Sequence, residues 1–190
     1  MLTALPGWLA LPPEGLTHEE HQALPEEVRA RLEIVDGAVV VRPAPPRAHE
    51  QVVRNLVSVL TAARPVGYEV DTGVGLVLRE VPLLNRRPDL VVHDSPDRAA
   101  PAPEHCLLVA EVVSRDSLAA DRTSKPAHYA ATGVPHFWRI ENPNDDPRLI
   151  QLFRYRLDPT TRVYASAGVD TGKVSLHDPF PVTIDLAALL

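Results

Sequence analysis

Apolar residues recur along the chain with two periods, and the changes between them mark out the elements. From His49 to Ala63 the apolar positions Val52, Val53, Leu56, Val59 and Leu60 fall three and four residues apart, which predicts an amphipathic helix packed on a sheet. Thr17 to Arg31 also reads as helical, opened by Thr17 with Glu20 three residues later, a capping box, and divided near Pro25. Between these helices, LEIVDGAVVVRP sets two β-branched runs around Asp36-Gly37, a strong hairpin signal. The PAPPR segment that follows demands an extended loop.

Strand-like runs come next, separated by turn residues: Gly67 to Arg79, Asp89 to His93 and Cys106 to Val113. A helix is expected over about Asp121 to Thr132, stopped by Gly133, with HFWRIE after it as another strand. Beyond Asn142 the pattern turns to hairpins: LIQLFRYRLDPTTRVYASAG folds back around an Asp-Pro turn, and KVSLH and VTIDLAALL complete a β-rich tail. The order of elements predicts a mixed α/β sheet flanked by helices, in one domain covering 1–190. Its expected parts are an N-terminal helix and hairpin (1–48), a core (49–142) and the tail (143–190).

Composition narrows the function classes. With 190 residues and 45% apolar content the chain can bury a full core, and its 20 prolines point to defined loops. The single Cys106 can make no internal disulfide and is expected in the core. A net charge of −6 argues against a protein that coats nucleic acid nonspecifically, yet permits a local basic groove around an acidic centre. The opening MLTALPGWLALPPEG lacks a basic leading segment and is broken by Pro6 and Pro12, so it does not read as a signal peptide. No run approaches the roughly 18 apolar residues of a membrane span, so the expectation is a cytoplasmic protein without membrane contact.

Candidate chemistry rests on acids in unexpected places. Asp89 follows Pro88, at the start of the strand that continues as LVV. Glu111 interrupts the apolar run LLVAEVVS, where strict alternation puts it on the face of Leu107, Val109 and Val113. A buried carboxylate costs several kcal/mol unless it is paired or bound to metal. Two carboxylates on neighbouring strands form a hard oxygen site suited to Mg²⁺. Lys125, one of only two lysines, lies four residues after Asp121 and four before Tyr129, on one helix face if the helix is continuous. Pro126 requires that the helix either begins near Ser124 or is kinked there.

The segments RRPDLVVHD, LVAEVVS and DRTSKPAHYAATGVPHFWRIEN, with the earlier EIVDG and PRAHEQVVRNLVSVL, resemble the Uma-type family of restriction-endonuclease-like proteins in the PD-(D/E)XK nuclease superfamily. The resemblance runs over nearly the whole chain. It implies a restriction-endonuclease-like core of helix, three strands, helix and strand, and a Mg²⁺-dependent phosphodiesterase centre in which Mn²⁺ can substitute. Asp89 matches the Asp of the PD motif and Glu111 the acid of the (D/E)XK motif, both as metal ligands. The usual lysine is absent, since Val113 stands in its place, and Lys125 of the following helix matches the basic role. Glu33 and His49 match recurring positions.

Each residue also has a plain structural alternative. Glu111 would pair with an arginine, Asp89 would be a strand-start residue, and Lys125 would be a solvated helix residue. Asp121 would be an N-cap, with metal contact as the lesser option. His49 would open a helix, and Glu33 would pair with Arg29 or Arg31. Arg42, Arg47, Arg86 and Arg87 lie close enough in sequence to grip phosphates, or are ordinary surface charge. The leading expectation is a Mg²⁺-dependent DNA endonuclease, as a homodimer or higher homo-oligomer. Its rivals are an inactive nucleic-acid-binding or scaffolding protein on the same fold, and a metal-dependent hydrolase of small phosphoesters.

Overall fold

The computed structural model describes residues 15–97 and 100–190, so the reading of the first 14 residues lies outside the described residues. Two short helices, α1 (His18–Ala23) and α2 (Glu26–Arg29), open the described chain, divided at Pro25 as expected. The capping box is formed: the Thr17 side chain accepts from the Glu20 amide, and the Glu20 carboxylate accepts from the Thr17 amide. The strands β1 (Leu32–Val35) and β2 (Ala38–Val41) then pair antiparallel. Asp36 and Gly37 turn between them with φ of 53° and 84°, the left-handed pair that Asp-Gly supplies at least cost.

The 17-residue helix α3 (Arg47–Ala63) follows, burying Val52, Leu56 and Leu60 at four-residue spacing. Each such side chain, taken fully out of water, contributes about 1.5–3 kcal/mol. The expected single strand from Gly67 to Arg79 is instead two, β3 (Glu69–Asp71) and β4 (Leu76–Arg79). The Thr72 to Gly75 turn, with Gly73 at φ 66°, sends the two halves to different sheets. A further strand, β5 (Leu84–Arg86), precedes β6 (Leu90–His93) and β7 (Cys106–Val112).

After β7 the helix expected from Asp121 to Thr132 appears as α4 (Leu118–Arg122) and α5 (Ser124–Thr132), broken at Thr123. Pro126 stands in the first turn of α5, where a missing N–H removes no intrahelical bond. Gly133, at φ 93°, ends that helix, and β8 (His136–Glu141) returns parallel to β7. The tail forms β9 (Gln151–Asp158), β10 (Val163–Thr171), β11 (Lys173–Leu176) and β12 (Val182–Asp185).

The central sheet has six strands in the order β10-β9-β8-β7-β6-β3, and only β7 and β8 run parallel, as a crossover through helices requires. On one face α3, the tail and the sheet enclose the larger core around Leu108, Ala110 and Trp138. On the other, Tyr129 of α5 joins Val109, Phe137 and Leu76 of β4. A second sheet, β2-β1-β5-β4, packs into this second core through Leu76, Leu78 and Leu84. The alternation expected around Glu111 holds for Val109 but not for Leu107. The pairing shifts between Val92–Leu108 and His93–Cys106, so Cys106 takes the Val109 face and Leu107 packs with the opposite core.

Candidate active site

The candidate side chains gather where residues of both sheets come together around Lys125. One step beyond the Leu90–Ala110 pair of the β6–β7 ladder lie Asp89 and Glu111, which brings the two acids side by side on neighbouring strands. Asp89 is held from three directions. Its Oδ2 accepts from the Val112 amide at 2.9 Å and lies 3.1 Å from His49 Nε2, while Oδ1 accepts from Arg42 Nη2 at 3.3 Å. His49 comes from the first turn of α3, whose N-terminus adds positive potential there. Burial pushes the Asp89 carboxyl up, but the hydrogen bond and charge of His49, the charge of Lys125 and the Val112 amide together hold it below the usual carboxylate range.

Glu111 has the opposite surroundings. It is wholly buried, with Oε1 accepting from the Tyr129 hydroxyl at 2.7 Å and Oε2 from Lys125 Nζ at 3.0 Å. Its carboxyl is pushed well up, first by burial, against the pull of Lys125, and further by Asp89, Asp121 and Glu33. Lys125 stands at the centre of these acids: Asp121 Oδ1 is 2.8 Å from Nζ and Glu33 Oε1 is 3.9 Å away. The Asp121 contact is at ion-pair distance without hydrogen-bond alignment. Burial alone would lower the Lys125 pKa, but Glu111, Glu33, Asp121 and Asp89 raise it, so the ammonium stays charged.

Glu33 does not pair with Arg29 or Arg31. Arg86 Nη1 donates to Glu33 Oε2 at 2.7 Å and the Arg87 amide to Oε1 at 3.0 Å, because β1 pairs with β5 and brings position 33 beside position 86. Asp121 is not an N-cap either: it lies inside α4, wholly buried, while Ser117 and Thr123 stand at the helix starts. Arg86 also donates to His128 Nδ1 and Ser124 Oγ, and Arg87 donates to the Gly73 carbonyl, so both guanidinium groups are buried and engaged internally. Arg47, in contrast, is exposed on the first turn of α3.

A cleft of about 360 Å³ opens on this assembly, with Glu33, Arg42, His49, Arg86, Asp89 and Lys125 among its walls. Glu111 does not line it and sits behind Lys125. Two neighbouring depressions also reach His49, one toward Arg54 and Thr72 and the other toward Arg115 and Arg122.

The family model described as "Uma2: Putative restriction endonuclease" matches residues 18–188. The chain belongs to this family. Among solved structures, it is similar to a protein from Anabaena variabilis ATCC 29413 described as "a putative nuclease belonging to DUF820". The two share 18% identity over 92% of this chain and 97% of that one, with a TM-score of 0.68, a likeness of fold. No curated protein matches the chain.

For this Uma2 member the site can be tested against Mg²⁺. Among the described residues no three His, Cys, Asp or Glu side chains form a ready ligand set. Mg²⁺ does not need one, since it is held through one or two carboxylates and keeps several waters. The donors are hard oxygens, and four carboxylates share the single ammonium of Lys125. Arg86 answers Glu33, and Arg42 answers Asp89. Glu111 and Asp121 have no cation besides Lys125 among their paired neighbours, and burial raises both carboxyls. That excess of buried acid fits a divalent cation.

Sequence reasoning placed Asp89, Glu111, Lys125, Asp121, Glu33 and His49 in one site, and the structure brings all six together. It gave Tyr129 a place on the Lys125 face but no role, although the i, i+4, i+8 spacing of Asp121, Lys125 and Tyr129 already pointed to one cluster. Arg86 was read as a phosphate contact or as surface charge, and its pairing with Glu33 was not legible, because its strand is three residues long and carries no hydrophobic pattern.

Proposed function

We propose that the chain is a Mg²⁺-dependent endonuclease that hydrolyses phosphodiester bonds in DNA. The observation that carries this reading is the shared cleft: Asp89 and Lys125 stand on its walls with Glu111 behind Lys125, two acids and an ammonium gathered at one opening. Asp89 and Glu111 would hold the ion, which when bound polarises a phosphoryl oxygen and lowers the pKa of a coordinated water. The chain's own residues supply the rest. His49, Arg42 and the Val112 amide fix the Asp89 carboxylate before substrate arrives, so no reorientation is required of it. Lys125 presents a compact positive charge for the nucleophile and the transferred phosphoryl group. The partly exposed Arg42 lines the cleft, and the exposed Arg47 follows its lining residue Pro46, so both are available to neighbouring phosphates. The reaction is in-line hydrolysis without a covalent enzyme intermediate.

The family's description and the fold of its nuclease-like neighbour support the reading. Cytoplasmic location and homodimeric assembly belong to the same proposal, and among the described residues no helix is long and apolar enough to cross a membrane. The test is plasmid cleavage by the full chain with Mg²⁺, compared with Asp89→Asn and Glu111→Gln. Nicking by the wild type that both variants lose supports the endonuclease. Equal nicking by all three identifies a contaminant and overturns it. Faster turnover of a chromogenic phosphodiester than of DNA assigns the site to small phosphoesters. DNA binding without cleavage assigns it to an inactive binding protein.

A further inference from the structure

The Lys125 ammonium lies within 4 Å of three carboxylates, at 2.8 Å from Asp121, 3.0 Å from Glu111 and 3.9 Å from Glu33. It therefore fills a space where a small cation is strongly stabilised. Two of the acids around it are tied independently. Arg86 and the Arg87 amide hold Glu33, and the Tyr129 hydroxyl holds the far oxygen of Glu111. Asp121 is fixed by its place inside α4 and meets the ammonium without hydrogen-bond alignment. Only Lys125 has somewhere to go, because its side chain lines the cleft and its four-carbon stem can extend. Two positive charges cannot share the cage cheaply, because like charges a few ångströms apart repel strongly where water does not screen them.

We propose that Lys125 is an exchangeable internal cation: it neutralises Glu111 and the neighbouring Glu33 and Asp121 until a divalent cation enters at Asp89 and Glu111, and is then driven off Glu111 into the cleft. The inference rests on the metal-dependent reading above and adds a sequence of events to it. The carboxylates stay in place while the ammonium changes position, so loading the site and delivering the positive charge to the cleft are a single event.

The chain offers a direct test because it contains only two lysines, Lys125 and Lys173, and Lys173 is exposed on β11. The full-length protein is treated with an amine-acetylating reagent in EDTA, in Mg²⁺ and in Ca²⁺, and the two lysine-containing peptides are quantified by mass spectrometry. Lys125 should be protected relative to Lys173 in EDTA, and its relative labelling should rise about tenfold on metal binding, as protection by burial is lost. The variant Lys125→Met should bind Mg²⁺ about tenfold more tightly or better by calorimetry, since a competing charge is gone. If the wild type binds Mg²⁺ but Lys125 labelling is unchanged, or if Lys125→Met binds no more tightly, the exchange is wrong while the metal site stands. If calorimetry detects no divalent cation on either protein, the metal reading and the exchange fall together. Should Lys125→Met fail to fold, the wild-type labelling still decides.

Discussion

Asp89 and Glu111 are neighbouring carboxylates, both buried, and their environments drive them in opposite directions. Asp89 has a side-chain exposure of 8% and three donors, among them a backbone amide and an arginine, and its carboxyl is lowered. Glu111 has none of its side chain exposed, with two donors and three other acids nearby, and its carboxyl is raised. Burial acts upward on both. The number and charge of the donors decide the outcome, which makes the pair a case of two acids on one sheet prepared for different tasks. Asp89 is an ionised group facing a cleft, and Glu111 is an anchor for the cation in front of it.

The strongest way to break this contrast is to remove that cation. Lys125→Met leaves Glu111 and Asp121 buried without their counter-charge, and should cost about 3–5 kcal/mol of stability in the absence of metal, measured by urea unfolding. A loss below about 1 kcal/mol would mean the cage is solvated and the contrast with Asp89 is superficial. Next in size, Asp89→Asn keeps an acceptor for the Val112 amide, so the fold should survive. Cleavage in Mg²⁺ should nevertheless fall by on the order of 10²–10³, the scale seen when one preorganised electrostatic group is lost. Retained cleavage would remove Asp89 from the site.

The opposite shifts predict opposite pH slopes. Asp89, lowered when folded, contributes stability that is present above its unfolded pKa of 3.8 and is lost as the pH falls through its folded value. Glu111, raised when folded, contributes stability that is present below its unfolded pKa of 4.5 and is lost as the pH rises toward its folded value. Thermal melts without metal should therefore show that Glu111→Gln flattens the decline on the alkaline side. Asp89→Asn should flatten the decline on the acid side. Parallel changes in the two variants would refute the contrast.

How much of this was legible in the sequence follows the same physics. Elements with strong local signals were read directly: the Asp36-Gly37 hairpin, the four-residue spacing of Val52, Leu56 and Leu60, and the uninterrupted HFWRIE strand. Glu111 stood out because an acid in an apolar strand conflicts with its surroundings. Features set by long-range pairing were not legible. The split of Gly67–Arg79 between two sheets, the three-residue strand β5 and the partnership of Glu33 with Arg86 all depend on which strand lies beside which. Asp121 looked like an N-cap because helical periodicity ignores the break at Thr123. The chain starts α4 three residues earlier and buries the acid against Lys125.

The smallest test concerns the group that gives Glu111 its fixed orientation. Tyr129 is fully buried, its ring 5.9 Å from that of Phe137, and its hydroxyl donates to the Glu111 oxygen that Lys125 does not reach. Tyr129→Phe keeps the ring packing and removes one hydrogen bond, leaving a buried carboxylate oxygen without a donor. The expected cost is about 1–3 kcal/mol, read as a lower melting temperature. The hydroxyl's role in the site is separable from that loss. If it holds Glu111 in place while Lys125 moves, Tyr129→Phe should also weaken Mg²⁺ binding, the reverse of Lys125→Met. Unchanged Mg²⁺ affinity in a folded Tyr129→Phe protein would show that Lys125 alone orients the acid, and that the two holders of Glu111 are not divided between a fixed and an exchangeable one.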